Sequence, residues 1–317
     1  MVSVTRWNDN ECRNIEDIIN TITNTKHSYD SKRMLFKDIE TRLLLKKNKI
    51  IKIENKKIEF NIIRYNYNQI NKDNSQNPLP VEERTIKKSG YVVVYTDIND
   101  SKSIVNYIIN RNSDALKILR VLLNYSEKGE ISKEQPVLKS DMFIWLIKRI
   151  YCKENKIKLK EKKKILKIDN LTEFRGQTED ATNIVSANGE TIMNILSTLS
   201  FLLESNNMRQ IKFSLAYEDH ENIELTFSKN IIGTNVKSYS GSFEDDNIHL
   251  DKEDRDLVIE SEIYLLCYLI ILPNIINVYS KEIEEKNWNL EIHKNFLEKV
   301  ATNLQKKIKN KITKLTQ

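Results

Sequence analysis

Lysine is the residue type most strongly grouped in this chain. Lys156, Lys158, Lys160, Lys162, Lys163, Lys164 and Lys167 fall within one short stretch, and Arg175 follows. Cations at that density suit a polyanion. Phosphate contact needs positive charge near the backbone rather than fixed geometry, and released counterions supply the free energy. A cluster made almost wholly of lysine offers point charges and little base readout. The competing reading is a solvated connection in a chain whose Lys, Ile and Asn bias multiplies lysine clusters. These eight residues are the candidate nucleic-acid contacts, with DNA as the expected partner.

Other reactive groups are sparser. Asp97 and Asp100 follow the apolar run Tyr91 to Tyr95. Carboxylates at a strand's C-terminal end commonly hold Mg²⁺ in nucleases and phosphotransferases. The same two residues also suit a turn and a helix N-cap, and no second acidic cluster completes a site. Glu54-Asn55-Lys56, with Asp38 upstream, is similar to the D…(E/D)xK pattern of metal-dependent nucleases but falls in an expected turn. His27, His220, His249 and His293 are scattered without zinc-ligand spacing. His220 is expected to be solvated at a hairpin tip. Cys152 lies beside lysines that could lower its pKa, but it has no partner base and reads as structural. No catalytic residue, metal or cofactor is assigned, and a non-enzymatic role is expected.

The elements that position these groups come from hydrophobic pattern. The longest apolar run, Ile263 to Leu272, is read as a helix buried on all sides. By itself it is short of the roughly 20 residues that cross a bilayer, and Pro273 follows it. Residues 11–46 read as helical, from Ile15, Ile18, Ile19 and Ile22 and then from Leu35, Ile39 and Leu43. Ile50 to Ile53 and Ile58 to Ile63 make a hairpin. Asn-rich residues 66–88, with Pro78 and Pro80, read as a linker. A strand at Tyr91 to Tyr95 precedes helices at 104–109, 115–125 and 141–150, with Trp145 in the core. Short strands at 165–168 and 178–188 and a helix at 190–204 come next. Ile211 to Tyr217 and Ile223 to Phe227 alternate as a second hairpin, and 231–243 adds a strand. A last helix aligns Val300, Leu304, Ile308, Ile312 and Leu315 on one face.

The chain has 317 residues, 39% hydrophobic and 30% charged, with only six Gly and four Pro. It can bury a core, and it is poor in the glycine that phosphate-binding loops use. Three distant cysteines fit no disulfide framework. With no apolar leader at the N-terminus, a reducing cytoplasm is expected. The net charge is only +6, yet residues 42–57 and 153–167 each carry +6 and 301–317 carry +5. Residues 244–262 hold nine acids against two bases. Segregation of this kind suits a polyanion, or complementary faces that self-associate.

From Val92 onwards the order of elements resembles the RdgC family of recombination-associated DNA-binding proteins. The likeness rests on a strand followed by Asp97 and a helix, a helix bearing Asp141 and Trp145, the helix at 190–204, the hairpin Ile211 to Phe227, and an acidic then apolar helix. The resemblance implies duplex-DNA binding without strong sequence preference, by dimers that encircle it. The Asn-rich stretch and the Lys-rich tail depart from that pattern.

The expected fold is α+β: an N-terminal helix-plus-hairpin region (1–65), a linker (66–88) and a mixed domain (89–317) closed by a long C-terminal helical segment. The expected function is non-sequence-specific DNA backbone binding in a prokaryotic phage-defence or recombination setting, with a homo-oligomer or protein partner. The alternatives are a non-catalytic subunit of an anti-phage assembly and a metal-dependent nuclease using Asp97 and Asp100.

Overall fold

Alternation of apolar and polar residues decides most of the architecture seen in the computed structural model. The structure describes residues 2–11, 13–24, 28–30, 34–72, 79–101, 104–111, 113–126, 129–159, 164–178, 184–188, 200, 203, 205–229 and 231–315. The chain divides into two compact units, Val2–Gln135 and Pro136–Gln317. Each is α+β, as expected.

In the N-terminal unit β1 (Val2–Asp9), β2 (Tyr29–Asp30), β3 (Met34–Leu43), β4 (Lys49–Ile53), β5 (Lys56–Asn71), β6 (Thr85–Asp97), β7 (Asn106–Ile109) and β8 (Ile131–Lys133) pair antiparallel throughout. The sixteen-residue β5 is the spine, with β6 along one edge and β3 and β4 in succession along the other. Helices α1 (Ile15–Asn24) and α2 (Ala115–Leu123) cover one face. There Ile18, Ile22, Leu119 and Leu122 pack with Phe36, Tyr65, Val92, Val94 and Tyr107. Val93 and Ile62, which alternation sends to the other face, are also fully buried. Gly90 is required by close approach, because a Cβ there would lie 2.4 Å from the Tyr65 hydroxyl.

Three expectations fail in this unit. Residues 34–43 are a strand, not a helix. Leu35, Ile39 and Leu43 recur every four residues, a spacing that fits a helical face but also one face of a strand. A bulge at Asp38, whose φ is 53°, then shifts the phase of β3. The linker at 66–88 is also overturned at both ends. Asn66 to Asn71 continue β5 and Thr85 to Lys88 begin β6, paired to each other through Asn68↔Lys87 and their neighbours. The division between units falls after Gln135 instead. Residues 106–109 are strand β7, paired to β6 through Val93↔Ile108, where a helix was expected from a short apolar run that carries no period of its own.

The C-terminal unit repeats the sheet-and-helix theme. Strands β9 (Lys156–Lys158), β10 (Ile165–Thr178), β11 (Ile184–Asn188), β12 (Ser205–Tyr217), β13 (His220–Ser228) and β14 (Ile231–Asn235) are antiparallel, in the order β10-β12-β13-β14. Of these, β9 and β12 bury alternate residues, whereas β13 and β14 each bury three in a row. Strands β9 and β11 both pair with β10. The expected hairpin Ile211 to Phe227 is present, with Phe213↔Leu225 in register. Ile211, Phe213, Leu215, Ile223, Leu225 and Phe227 are buried. Helix α3 (Ser140–Tyr151) lies across β10 and β12, and α5 (Lys252–Leu266) across β14. The strand expected at 231–243 is present as β14 over Ile231–Asn235, and a short helix α4 (Ser242–Asp246) then precedes α5. The expected helix at 190–204 lies almost wholly outside the described residues.

The apolar run Ile263 to Leu272 is the core helix expected of it, buried at nine of its ten positions. It does not stop at Pro273. Five residues, Cys267–Ile271, adopt a π-helical turn, and α6 (Leu272–Glu284) continues through the proline. A proline lacks the N–H and its ring crowds the carbonyl four residues back. Widening the turn just upstream relieves that clash, and Asn274 Nδ2 donates to the Ile270 carbonyl at 2.8 Å. The combined segment Lys252–Glu284 is long and apolar enough to cross a membrane by length and composition, and 61% of its apolar window is buried within the protein, as in a core helix. The last helix, α7 (Leu290–Leu315), runs for 26 residues.

Candidate nucleic-acid interface

Alternation places the lysines. Ile157 on β9 and Leu159 just after it, and Leu166 and Ile168 on β10, are buried. Lys156, Lys158 and Lys167 must then face outward, with Lys156 directly opposite Lys167 across the ladder. The strand is aimed by the end of α3. Lys153 takes a left-handed conformation, φ 60°, where the chain leaves the helix. Arg149 then donates to the Lys156 carbonyl at 3.1 Å, and Asn155 Nδ2 to the Ile168 carbonyl at 2.9 Å. The lysine stretch expected to be a connection is thus partly strand. Leu159 N–H donates to the Lys164 carbonyl at 3.0 Å, so β9 and β10 close together at that end.

Five of the eight predicted contacts are described, and Lys160, Lys162 and Lys163 lie outside the described residues. Lys156 and Lys158 are exposed, and neither has a carboxylate within ion-pair distance among the described residues. The other three are paired. Lys164 Nζ sits 2.5 Å from Glu218 Oε1 and 5.7 Å from the centre of the Tyr217 ring. Lys167 Nζ is 2.5 Å from Asp169 Oδ1, and that hydrogen bond raises the pKa of the ammonium. Arg175 Nε donates to Glu173 Oε1 at 2.8 Å. Arg175 also stands eight residues along β10 from Lys167, roughly 25 Å at strand spacing, and does not join the cluster.

A second lysine array, on α7, meets the C-terminal end of α3. Phe296 packs edge-on against Tyr151 at 5.7 Å, Asn303 Nδ2 donates to the Tyr151 hydroxyl at 2.6 Å, and Lys299 Nζ lies 3.6 Å from Cys152 Sγ. Cys152 is thereby part of a packed helix junction, as its structural reading expected. Beyond that junction α7 carries exposed Lys306, Lys309, Lys311 and Lys314.

The carboxylates singled out in the sequence have structural partners. Asp97 Oδ2 accepts from Lys56 Nζ at 3.2 Å, and Asp97 Oδ1 accepts from the Asn99 N–H at 3.1 Å, closing a turn. Asp38 accepts from Asn68 toward the far end of β5, away from Glu54 and Lys56. The D…ExK residues are therefore not brought together. Among the described residues no group of three or more His, Cys, Asp or Glu side chains could hold a metal ion. Asp141 accepts from Tyr279 Oη at 2.6 Å and Trp288 Nε1 at 2.7 Å. Trp145 Nε1 and Arg149 both donate to Glu282. These bonds tie α3 to α6 and to the turn between α6 and α7.

His220 is a correction. It is 7% exposed, not solvated. Its Nδ1 is 2.7 Å from the Tyr239 hydroxyl, and its ring is 4.4 Å from that of Phe243. Burial lowers its pKa, against an opposing pull from Asp219. Sequence reasoning missed it because Tyr239 and Phe243 close over the hairpin tip from some twenty residues away. It also missed two buried polar contacts. Asp9 accepts from Tyr107 Oη at 2.5 Å and Tyr125 Oη at 2.6 Å. The fully buried Glu262 accepts from Asn247 Nδ2 at 2.7 Å. No local pattern marks any of these pairs.

No protein-family model matches this chain, and neither does any curated protein.

Proposed function

We propose that the protein is a non-catalytic nucleic-acid-binding protein that holds the phosphate backbone of duplex DNA through lysine. The observation that carries this reading is the pair Lys156 and Lys158. Both are exposed on the outer side of β9, with Lys167 across the ladder and no carboxylate paired to either among the described residues. The ion pairs at Lys164, Lys167 and Arg175 are surface pairs worth about 0–1 kcal/mol each, which a phosphate can displace. Lysine point charges give affinity without base readout. Duplex DNA as the polyanion, and a prokaryotic recombination or phage-defence setting, belong to the same proposal and rest on the sequence resemblance to the RdgC family. Of the elements that carry it, the helix bearing Asp141 and Trp145 and the hairpin Ile211 to Phe227 are present, while β7 follows Asp97 where a helix was expected.

Fluorescence anisotropy with a labelled duplex, at low and physiological salt and with and without Mg²⁺, tests it. The expected result is binding that is indifferent to sequence, weakens steeply with salt and leaves the duplex intact. No binding at low salt would overturn the reading. Cleavage that needs Mg²⁺ and disappears in Asp97→Ala would replace it with the nuclease.

A second reading, a non-catalytic subunit of a multi-protein defence assembly, is favoured by the exposed acids Glu244, Asp245, Asp246, Asp251 and Glu253. That surface repels DNA and suits a basic partner. Recovery of the chain in a large complex, with no DNA affinity of its own, would select it.

A further inference from the structure

We propose that α7 docks onto the acidic α4–α5 surface of a second copy of this chain, head to tail. Two features carry the inference. The first is an apolar row that outruns its support. Residues four apart on a helix advance by about 40° around the axis. The row that begins at buried Val300 and half-buried Leu304 therefore turns away from α3. Ile308 is 44% exposed, Ile312 56% and Leu315 79%. Lys311 borders this row on one side and Lys309 on the other, and residues 301–317 contain no acid.

The second feature is a surface of opposite character in the same chain. Ile248, between α4 and α5, is 73% exposed. Exposed Glu244, Asp245, Asp246, Asp251 and Glu253 lie around it in sequence, with Lys252 the one base from 244 to 254. The charge balance selects the occupant. Two α7 helices face to face would oppose lysine to lysine, a repulsive arrangement. An α7 laid on the Ile248 surface meets an apolar side chain within an acidic rim. Such a contact joins different surfaces of the two copies, so it propagates into a chain or closes into a ring. The exposed row, Ile308 to Leu315, spans about 10 Å of helix, too little for the roughly 800 Å² per partner of a standard interface. The association is therefore weak, concentration-dependent and screened by salt.

Sedimentation velocity on the full chain at low and high salt is the test, with Lys309→Glu/Lys311→Glu and Asp245→Lys/Asp246→Lys as charge reversals. All four sites are exposed, and circular dichroism checks that each variant folds. The wild type is expected to sediment faster with rising concentration at low salt and as a single small species at high salt. Each reversal alone should abolish association. Mixing the two reversed proteins should restore a complex, because the reversed helix again faces a surface of opposite sign. Three outcomes would overturn the proposal: a wild type that stays a single species at low salt, association that survives either reversal, or a mixture that remains unassociated. None of them depends on Lys156 or Lys158, so failure here is separable from failure of the DNA reading.

Discussion

Strand β6 of the N-terminal unit and strand β12 of the C-terminal unit differ in how many of their faces are buried. In the N-terminal unit Val92, Val93, Val94 and Tyr95 are consecutive and all at most 1% exposed, so side chains on both faces of β6 leave solvent. In the C-terminal unit Ile211, Phe213, Leu215 and Tyr217 are buried, while Lys212, Ser214 and Ala216 between them are partly open. A two-sided strand reads as a continuous apolar run and a one-sided strand as strict alternation. The difference separates scaffold from surface. The open side of the C-terminal sheet carries the exposed Lys156 and Lys158, while the exposed lysines of the N-terminal sheet, Lys52, Lys57 and Lys87, lie away from the doubly buried centre of β6.

The comparison can be broken with one substitution on each sheet. Val93→Lys buries an uncompensated charge and is expected to cost about 3–5 kcal/mol. Ser214→Lys, on the outer side of β12 beside Glu224, should stay within about 0.5 kcal/mol. Urea unfolding of both variants checks this, and equal losses would erase the distinction between the two strands. Next in size is Asp141→Ala, which orphans the Tyr279 hydroxyl and the Trp288 N–H. A loss of about 1–3 kcal/mol is expected, and an unchanged unfolding midpoint would remove Asp141 as a tie between helices.

A smaller effect concerns pH. Burial lowers the His220 pKa below the ordinary value of 6.5. As pH falls, the unfolded chain takes up this proton before the folded one does. Stability contributed by neutral His220 is complete above about pH 6.5 and is lost as pH drops from there through the folded pKa. Thermal unfolding should therefore show a midpoint that declines on acidification through this window, with a shallower decline in His220→Gln. Parallel profiles would contradict the assignment. The smallest effect belongs to the outer-face ion pairs. Lys212 and Glu224 lie 3.0 Å apart, and Lys212→Ala should change stability by less than about 1 kcal/mol. A larger loss in chemical denaturation would make that face structural.

Much of the C-terminal unit is legible in the sequence because its signals are local. Strict alternation announces the hairpin Ile211 to Phe227, and the Ile263 to Leu272 run announces the core helix. The N-terminal unit is harder to read. Leu35, Ile39 and Leu43 fit two periods at once, and only pairing with β5 selects the strand. The bulge at Asp38 further blurs the phase. Asn66 to Asn71 look like a linker by composition, yet they are held by backbone bonds on both sides, which composition does not encode. At the candidate interface, alternation of Lys156, Ile157, Lys158 and Leu159 is visible once the strand is known. The acids that neutralise Lys164, Lys167 and Arg175 are not all near in sequence. Asp169 and Glu173 are two residues from their partners, but Glu218 is brought in by the hairpin tip.

The central claim, that the exposed lysines on the outer side of β9 grip a phosphate backbone, is tested most directly by the salt dependence of duplex binding. Association constants for the wild type and for Lys156→Glu/Lys158→Glu would be measured by anisotropy across a series of salt concentrations. Each lysine that neutralises a phosphate contributes about 0.9 to the slope of log K against log salt. The double variant is therefore expected to bind at least about tenfold more weakly at low salt, with a slope shallower by about 2. Equal affinity and equal slope in the two proteins would contradict the claim and remove β9 as the DNA-binding surface.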